Sequence, residues 1–133
     1  MCIRDSITTS LDTMQRGANS PYGVTKAAIE AETLIWAQDL AGTGVTVNSL
    51  IPGGAADTGF VSDESRAAIK ASGRKLLDPE IMAVPLVWLC SREADGITAA
   101  RFVAKEWDAT LPGAEAALKA REPQVLRKSN RAR

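Results

Sequence analysis

The sequence contains no histidine. That absence excludes Ser-His-Asp and Cys-His nucleophile systems and the common zinc sites, all of which use imidazole. Cysteine is scarce as well. Cys2 and Cys90 make neither a disulfide framework nor a zinc spacing, so no metal site is expected and a reducing cytoplasm fits. Net charge is missing, because 16 basic residues cancel 16 acidic ones. No global field draws the chain to nucleic acid or to an anionic membrane, and neither is expected as a partner. No apolar run approaches the roughly 18 residues needed to span a bilayer, and no signal-peptide pattern is visible. Any acid-base chemistry falls to Tyr, Lys, Asp or Glu.

What is present is an alternation of elements. The 133 residues fit one domain, and 45% apolar content allows a core of modest size. Residues 7–9 are β-branched and read as the end of a strand. Residues 10–21 hold Asp12, Gly17, Asn19, Ser20 and Pro21 and read as loop. A helix is expected from Ser20 and Pro21 to Gly42 and Gly44, with Ala27, Ala28, Ala31, Leu34, Ile35 and Leu40 at helical spacing. VTVNSLI, residues 45–51, reads as a buried strand. Residues 52–59 are loop and residues 62–72 a short surface helix. Residues 77–91 read as a helix capped by Asp78 and opened by Pro79, with Pro85 an awkward interior residue. Residues 100–104 read as a last strand and 113–121 as a short helix. The end carries Arg121, Arg127, Lys128, Arg131 and Arg133 against Glu122, and is read as a solvated basic tail.

Strand, helix, strand, helix, strand is the pattern of a parallel sheet with helical crossovers. Ligands in such folds bind at the carboxyl ends of the strands, here beside residues 10–21 and 52–61. Tyr22 and Lys26 start the helix at that edge. Four residues apart, they share one helix face. An ammonium near a phenol favours the phenolate, which suits general acid-base work on a carbonyl or alcohol.

ITTSLDTMQRGANSPYGVTKAAIEA, followed by GTGVTVNSLIPGG, resembles the short-chain dehydrogenase/reductase family at several linked points. These are Thr9 or Ser10, Tyr22, Lys26, Val47, Asn48, Pro52, Gly53 and Thr58, and READGITAARFVAKEW resembles the family's last strand and the turn before it. The resemblance spans residues 7 to about 108. It implies an α/β fold, the C-terminal half of a doubly wound Rossmann-like parallel sheet with three strands and crossover helices. It implies hydride transfer between NAD or NADP and a small carbonyl or alcohol substrate. Tyr22 is then the acid/base, and Lys26 assists it and binds the nicotinamide ribose. A hydroxyl from Ser10, or alternatively Thr9, holds the substrate oxygen. Pro52 and Gly53 admit the nicotinamide, and Thr58 bonds its carboxamide or a phosphate. The long helix after the tyrosine commonly packs between subunits in this family, so a homo-oligomeric parent is implied. Leu34, Ile35 and Trp36 give that helix several apolar sides, and a non-catalytic subunit-interaction module is the alternative reading.

Three departures stand beside the resemblance. Thr9 occupies the position thirteen before the tyrosine, with Ser10 one later. The loop after Pro52 is one residue longer than usual, so Asp57 takes the common place of Thr58. Ala99 stands where the family often has glycine. The family's Gly-rich phosphate turn, its NAD/NADP selector and its N-A-G segment have no counterpart in the 21 residues before Tyr22. MCIRDS matches the translation of transposon-end adapter DNA, so residues 1–6 are expected to be translated adapter joined to a truncated gene. The expected division is then 1–6 artefact, 7–112 partial Rossmann domain and 113–133 C-terminal extension. Without the phosphate cradle, the isolated chain is expected to be inactive.

Overall fold

The structure is a computed structural model and describes residues 2–126. Strand β1, Cys2–Ile7, runs parallel to β2, Val45–Ile51. Between them lie a short helix α1, Leu11–Met14, and the long helix α2, Tyr22–Asp39. After β2 come helix α3, Asp63–Ala71, a 3-10 turn at Pro79–Met82 and helix α4, Ala83–Leu89. Strand β3, Arg101–Val103, pairs parallel with β2. Helix α5, Gly113–Ala120, leads into β4, Arg121–Glu122, which pairs antiparallel with β3. The sheet order is β1-β2-β3-β4. Among the described residues β1 has no strand on its outer side.

The α/β reading holds, with a fourth strand added. Two residues with no β-branched side chain gave β4 no sequence signal; its position comes from pairing to Arg101 and Phe102. Helix α5 packs on the rest of the fold. Ala116, Ala117 and Ala120 of α5 are buried, and Ala117 and Ala120 join Phe102, Leu50 and Trp88 in the apolar core. Residues 2–6 form most of β1. Of the basic tail, Arg127, Lys128, Arg131 and Arg133 lie outside the described residues.

The strand reading of residues 45–51 matches β2, which is buried along nearly its whole length. It sits second in the sheet, so both of its faces are covered. Leu50 and Phe102 point to the apolar core. The opposite face, under α2, is polar: Thr8, Glu30, Thr33, Ser49 and Arg101 are all buried. The buried stripe of α2 is Gly23, Glu30, Thr33 and Ala37, while Ile35 and Val24 are exposed.

Pro85 causes no break. The chain takes a 3-10 turn first, with the Asp78 carboxylate accepting from the Glu80 amide at 2.9 Å. Pro85 is then the third residue of α4, in the first turn, where a backbone N–H has no intrahelical acceptor to lose. Its ring is buried with Trp88 and Leu89 on one side of the helix. No helix of the described residues is long and apolar enough to cross a membrane.

Candidate active site

The carboxyl ends of β1 and β2 open into a cleft of about 560 Å³. Thr9, Ser10, Tyr22, Lys26, Pro52, Gly53 and Thr58 all line it. Every residue singled out in the sequence for a site therefore reaches one space, although the set runs from position 9 to position 58.

β1 ends at Ile7, and the chain turns away through three hydroxyl residues. Thr8 is buried and donates its Oγ1 to the Glu30 carboxylate. Its hydroxyl is structural. Thr9 is held by its carbonyl, which accepts from Arg101 Nη2 at 2.8 Å. Ser10 is the N-cap of α1: its Oγ accepts from the Thr13 amide at 3.3 Å and shares a hydrogen bond with Thr13 Oγ1 at 2.9 Å. The segment expected as plain loop thus contains a four-residue helix. Its signal was the Ser10 cap followed by Asp12 in the first turn.

Tyr22 opens α2 directly after Pro21. The next residue explains how the two helices approach. A Cβ on Gly23 would lie 2.2 Å from the Met14 carbonyl oxygen, so only glycine lets α1 rest on the first turn of α2. Asn19 ties the connection, donating Nδ2 to the Thr13 carbonyl at 2.5 Å and accepting from the Gly23 amide at 2.7 Å. Lys26 lies one turn on. Its Nζ donates to the Ile7 carbonyl at 2.8 Å and stands 5.7 Å from the centre of the Tyr22 ring. One ammonium proton is thereby spent on the end of β1, and two remain for other acceptors.

On the β2 side, Gly53 has φ of 86°, and a Cβ there would meet Val103 Cγ1 at 2.6 Å. The glycine is needed for its turn and for packing on β3. The Pro52 carbonyl accepts from the Lys105 amide at 3.1 Å, which fixes the start of this loop. The extra loop residue separates two fates: Asp57 pairs with Arg66, while Thr58 lines the cleft. Thr58 Oγ1 accepts from the Phe60 amide at 3.4 Å.

Sequence reading missed Phe60 and Arg66. The Phe60 ring lies 5.0 Å from that of Tyr22, tilted by 40°. It also missed the buried Glu30 and Arg101 beneath the site. No group of His, Cys, Asp or Glu among the described residues is arranged to hold a metal.

The donor set fits one end of a dinucleotide. Lys26 and Tyr22 present hydrogen-bonding groups to the cleft beside the Pro52–Gly53 backbone. Phosphate binding in such folds needs a Gly-rich turn at a helix N-terminus after a strand. Neither helix that follows a strand toward this cleft begins with one: α1 starts LDTM and α3 starts DESR.

Comparison with known proteins gives a consistent family. The profile described as Enoyl-(Acyl carrier protein) reductase matches residues 5–105. A curated short-chain type dehydrogenase/reductase of Picea abies is 33% identical over 99 residues, which cover 71% of this chain and 36% of that protein. Among solved structures, a short chain dehydrogenase/reductase family protein is 29% identical with a TM-score of 0.59, covering 76% of this chain and 43% of its own. Landomycin C-6 ketoreductase LanV, solved with NADP and rabelomycin bound, is 23% identical with a TM-score of 0.58, a likeness of fold. It covers 77% of this chain and 39% of its own. The chain thus spans well under half the length of the relatives it matches.

Proposed function

The chain belongs to the short-chain dehydrogenase/reductase family, and on that premise we propose that it carries the proton-transfer half of an NAD- or NADP-dependent oxidoreductase acting on a carbonyl or alcohol. The observation that carries the reading is the convergence of Tyr22 and Lys26, from one helix turn, with Thr9, Ser10, Pro52 and Gly53 on one cleft.

In this reading a bound nicotinamide supplies or accepts the hydride. Tyr22 Oη gives its proton to the carbonyl oxygen on reduction, and takes one from the alcohol on oxidation. Lys26 keeps its ammonium beside the ring, anchored on the Ile7 carbonyl, and its remaining protons bind ribose hydroxyls. Ser10 holds the substrate oxygen; its hydroxyl stands at the cleft with its hydrogen-bond direction set by Thr13. Thr9 is the alternative. Thr58 and the Pro52–Gly53 backbone bind the carboxamide end.

The phosphate cradle is not among these residues, so the isolated chain is proposed to bind NAD(P)H weakly and not to turn over. A cofactor titration of the purified chain tests this; micromolar affinity would refute it. The catalytic assignment is tested in a full-length parent enzyme. Tyr22→Phe should lower kcat by about 10²-fold or more, the range of one acid-base group, and leave assembly intact. Retained turnover would overturn it.

The exposed Val24 and Ile35 on α2 favour a second reading, a subunit-interaction module. Under that reading Tyr22→Phe changes nothing, while Ile35→Asp dissociates the assembly. In the first reading the same helix face supports a homo-oligomeric parent.

A further inference from the structure

Arg66 sits on α3, outside the cleft wall, with no chemistry to perform. Its guanidinium nevertheless makes a dense set of contacts. Nη1 pairs with the Asp57 carboxylate, Nη2 donates to the Thr58 carbonyl at 2.7 Å, and Nε donates to the Val61 carbonyl at 3.2 Å. These partners bracket Phe60 on both sides. The same loop is fixed at its other end by Leu77, whose amide donates to the Ala55 carbonyl and whose carbonyl accepts from the Asp57 amide, both at 2.8 Å. α3 itself is anchored by its Ser62 cap, with Asp63 and Glu64 in its first turn. Arg66 is therefore mounted on a capped helix, and its planar fork of donors spans three acceptors at fixed geometry.

What this holds in place is an otherwise free side chain. Phe60 is 73% exposed, and its ring contact is with Tyr22. A centre-to-centre separation of 5.0 Å with tilted planes is an ordinary aromatic pair. Nothing in the apolar core requires Phe60 to lie there.

We infer that Arg66 is a positioning residue: it latches the loop at residues 57–61 so that Phe60 covers one face of Tyr22 and walls the substrate side of the proton-transfer centre. The functional sense of the latch rests on the proposed role of Tyr22. Its geometry can be tested without any hydride chemistry.

Tyr22 is the single tyrosine of the chain. Nitration by tetranitromethane can therefore be followed at one site, in the tryptic peptide running from Gly17 to Lys26. Phe60→Ala should raise the nitration rate several-fold, and Arg66→Ala should raise it to a similar level. The double variant should be no faster than Phe60→Ala alone, because Arg66 acts through Phe60. Arg66→Lys should fall between Arg66→Ala and wild type, since an ammonium cannot span all three acceptors. A merely structural role for Arg66 predicts rates that multiply in the double variant. Circular dichroism of each variant monitors the fold. Phe60→Ala removes an exposed side chain, so it keeps the test decisive should Arg66→Ala fail to fold. A wild-type nitration rate in Phe60→Ala, or multiplying rates, overturns the latch and leaves the proposed activity standing. Retained turnover of Tyr22→Phe in a full-length parent, with these rates as expected, would sink that reading and leave the latch.

Discussion

Arg101 Nε donates to Glu30 Oε1 at 3.0 Å, with the two side chains only 3% and 1% exposed. The pair is also satisfied around its edges. Glu30 accepts from Thr8 and from Ser49 Oγ, and Arg101 reaches the Thr9 carbonyl and the Glu122 carboxylate. One buried network thus ties α2 to the ends of β1 and β3, directly beneath the candidate site. Removing one partner of such a pair strands a buried charge, which costs about 3–5 kcal/mol. Arg101→Met leaves the buried Glu30 carboxylate without a cation and should lose that much in urea unfolding, whereas Glu30→Gln should lose less because Arg101 keeps Glu122. Replacing both Glu30 and Arg101 by Met should recover a large part of it, because no buried charge is then left unpaired and Glu122 is 36% exposed. A loss below about 1 kcal/mol in Arg101→Met, the scale of an exposed pair, would show that the pair is open to water.

This network also marks the limit of what the sequence could reveal. Tyr22, Lys26 and the VNSLIPGG strand-to-loop segment were legible because their geometry is local: four residues on a helix, or one strand and the turn that follows it. Glu30 and Arg101 are 71 positions apart, and each alone looks like a solvated charge. The same holds for β4, whose two residues become a strand only because β3 offers an edge. The apolar positions of α2 do not mark its buried face for a related reason. Its core-facing side is built from Gly, Glu, Thr and Ala, which only tertiary partners make internal.

Ser10 and Thr9 can be separated by their surroundings. The Ser10 hydroxyl is directed by Thr13, whereas Thr9 is held through its carbonyl. If Ser10 binds the substrate oxygen, Ser10→Ala in a full-length parent should depress kcat strongly, and Thr9→Val should do so weakly. The reverse order assigns the role to Thr9.

Ala99 has φ of 54°, in the left-handed region where a side chain is strained. Its backbone is pinned there: the amide donates to the Val47 carbonyl at 2.8 Å, and the carbonyl accepts from Gln124 Nε2 at 2.8 Å. Left-handed backbone costs an L-residue about 1–2 kcal/mol. Glycine removes that strain but adds about 0.4–1 kcal/mol of unfolded-state entropy. The relief of strain outweighs the added entropy, so Ala99→Gly should raise the urea midpoint slightly. A lowered midpoint would mean that the Ala99 methyl packs usefully.

Gly23 presents the opposite balance. In an exposed helix, alanine would gain about 1 kcal/mol over glycine. Here the added Cβ falls 2.2 Å from a backbone oxygen of Met14, which cannot swing aside as a side chain would. Overpacking of this kind costs about 1–3 kcal/mol. Gly23→Ala should therefore destabilise the chain or displace α1, seen as faster amide exchange over residues 11–15. A more stable Gly23→Ala variant with unchanged exchange would show that α1 does not rest on α2.

Two carboxylates give opposite responses to acid. Burial raises the pKa of Asp5 above 3.8, against the lowering effect of hydrogen bonding from Asn48. Its Oδ1 accepts from the Asn48 amide at 3.0 Å, while Oδ2 is buried without a partner. A raised folded-state value means that Asp5 favours folding when protonated. That contribution is full below pH 3.8 and is lost as pH rises through the folded value. Asp5→Asn should therefore be more stable than wild type at pH 7, with the gain fading by about pH 3 as the carboxyl is protonated in both states. Asp108 behaves the other way. Hydrogen bonding from Thr110, then from Lys119, lowers its pKa from 3.8 to about 2. Its contribution is present above pH 3.8 and disappears as pH falls through about 2. Asp108→Asn should be less stable than wild type at neutral pH and approach it as the pH falls through about 2. Urea midpoints measured from acid to neutral pH should thus show the two variants' differences from wild type with opposite sign at neutral pH, both closing as the solution is acidified. A difference for Asp5→Asn that stays constant over this range would mean that its carboxyl is solvated in the fold.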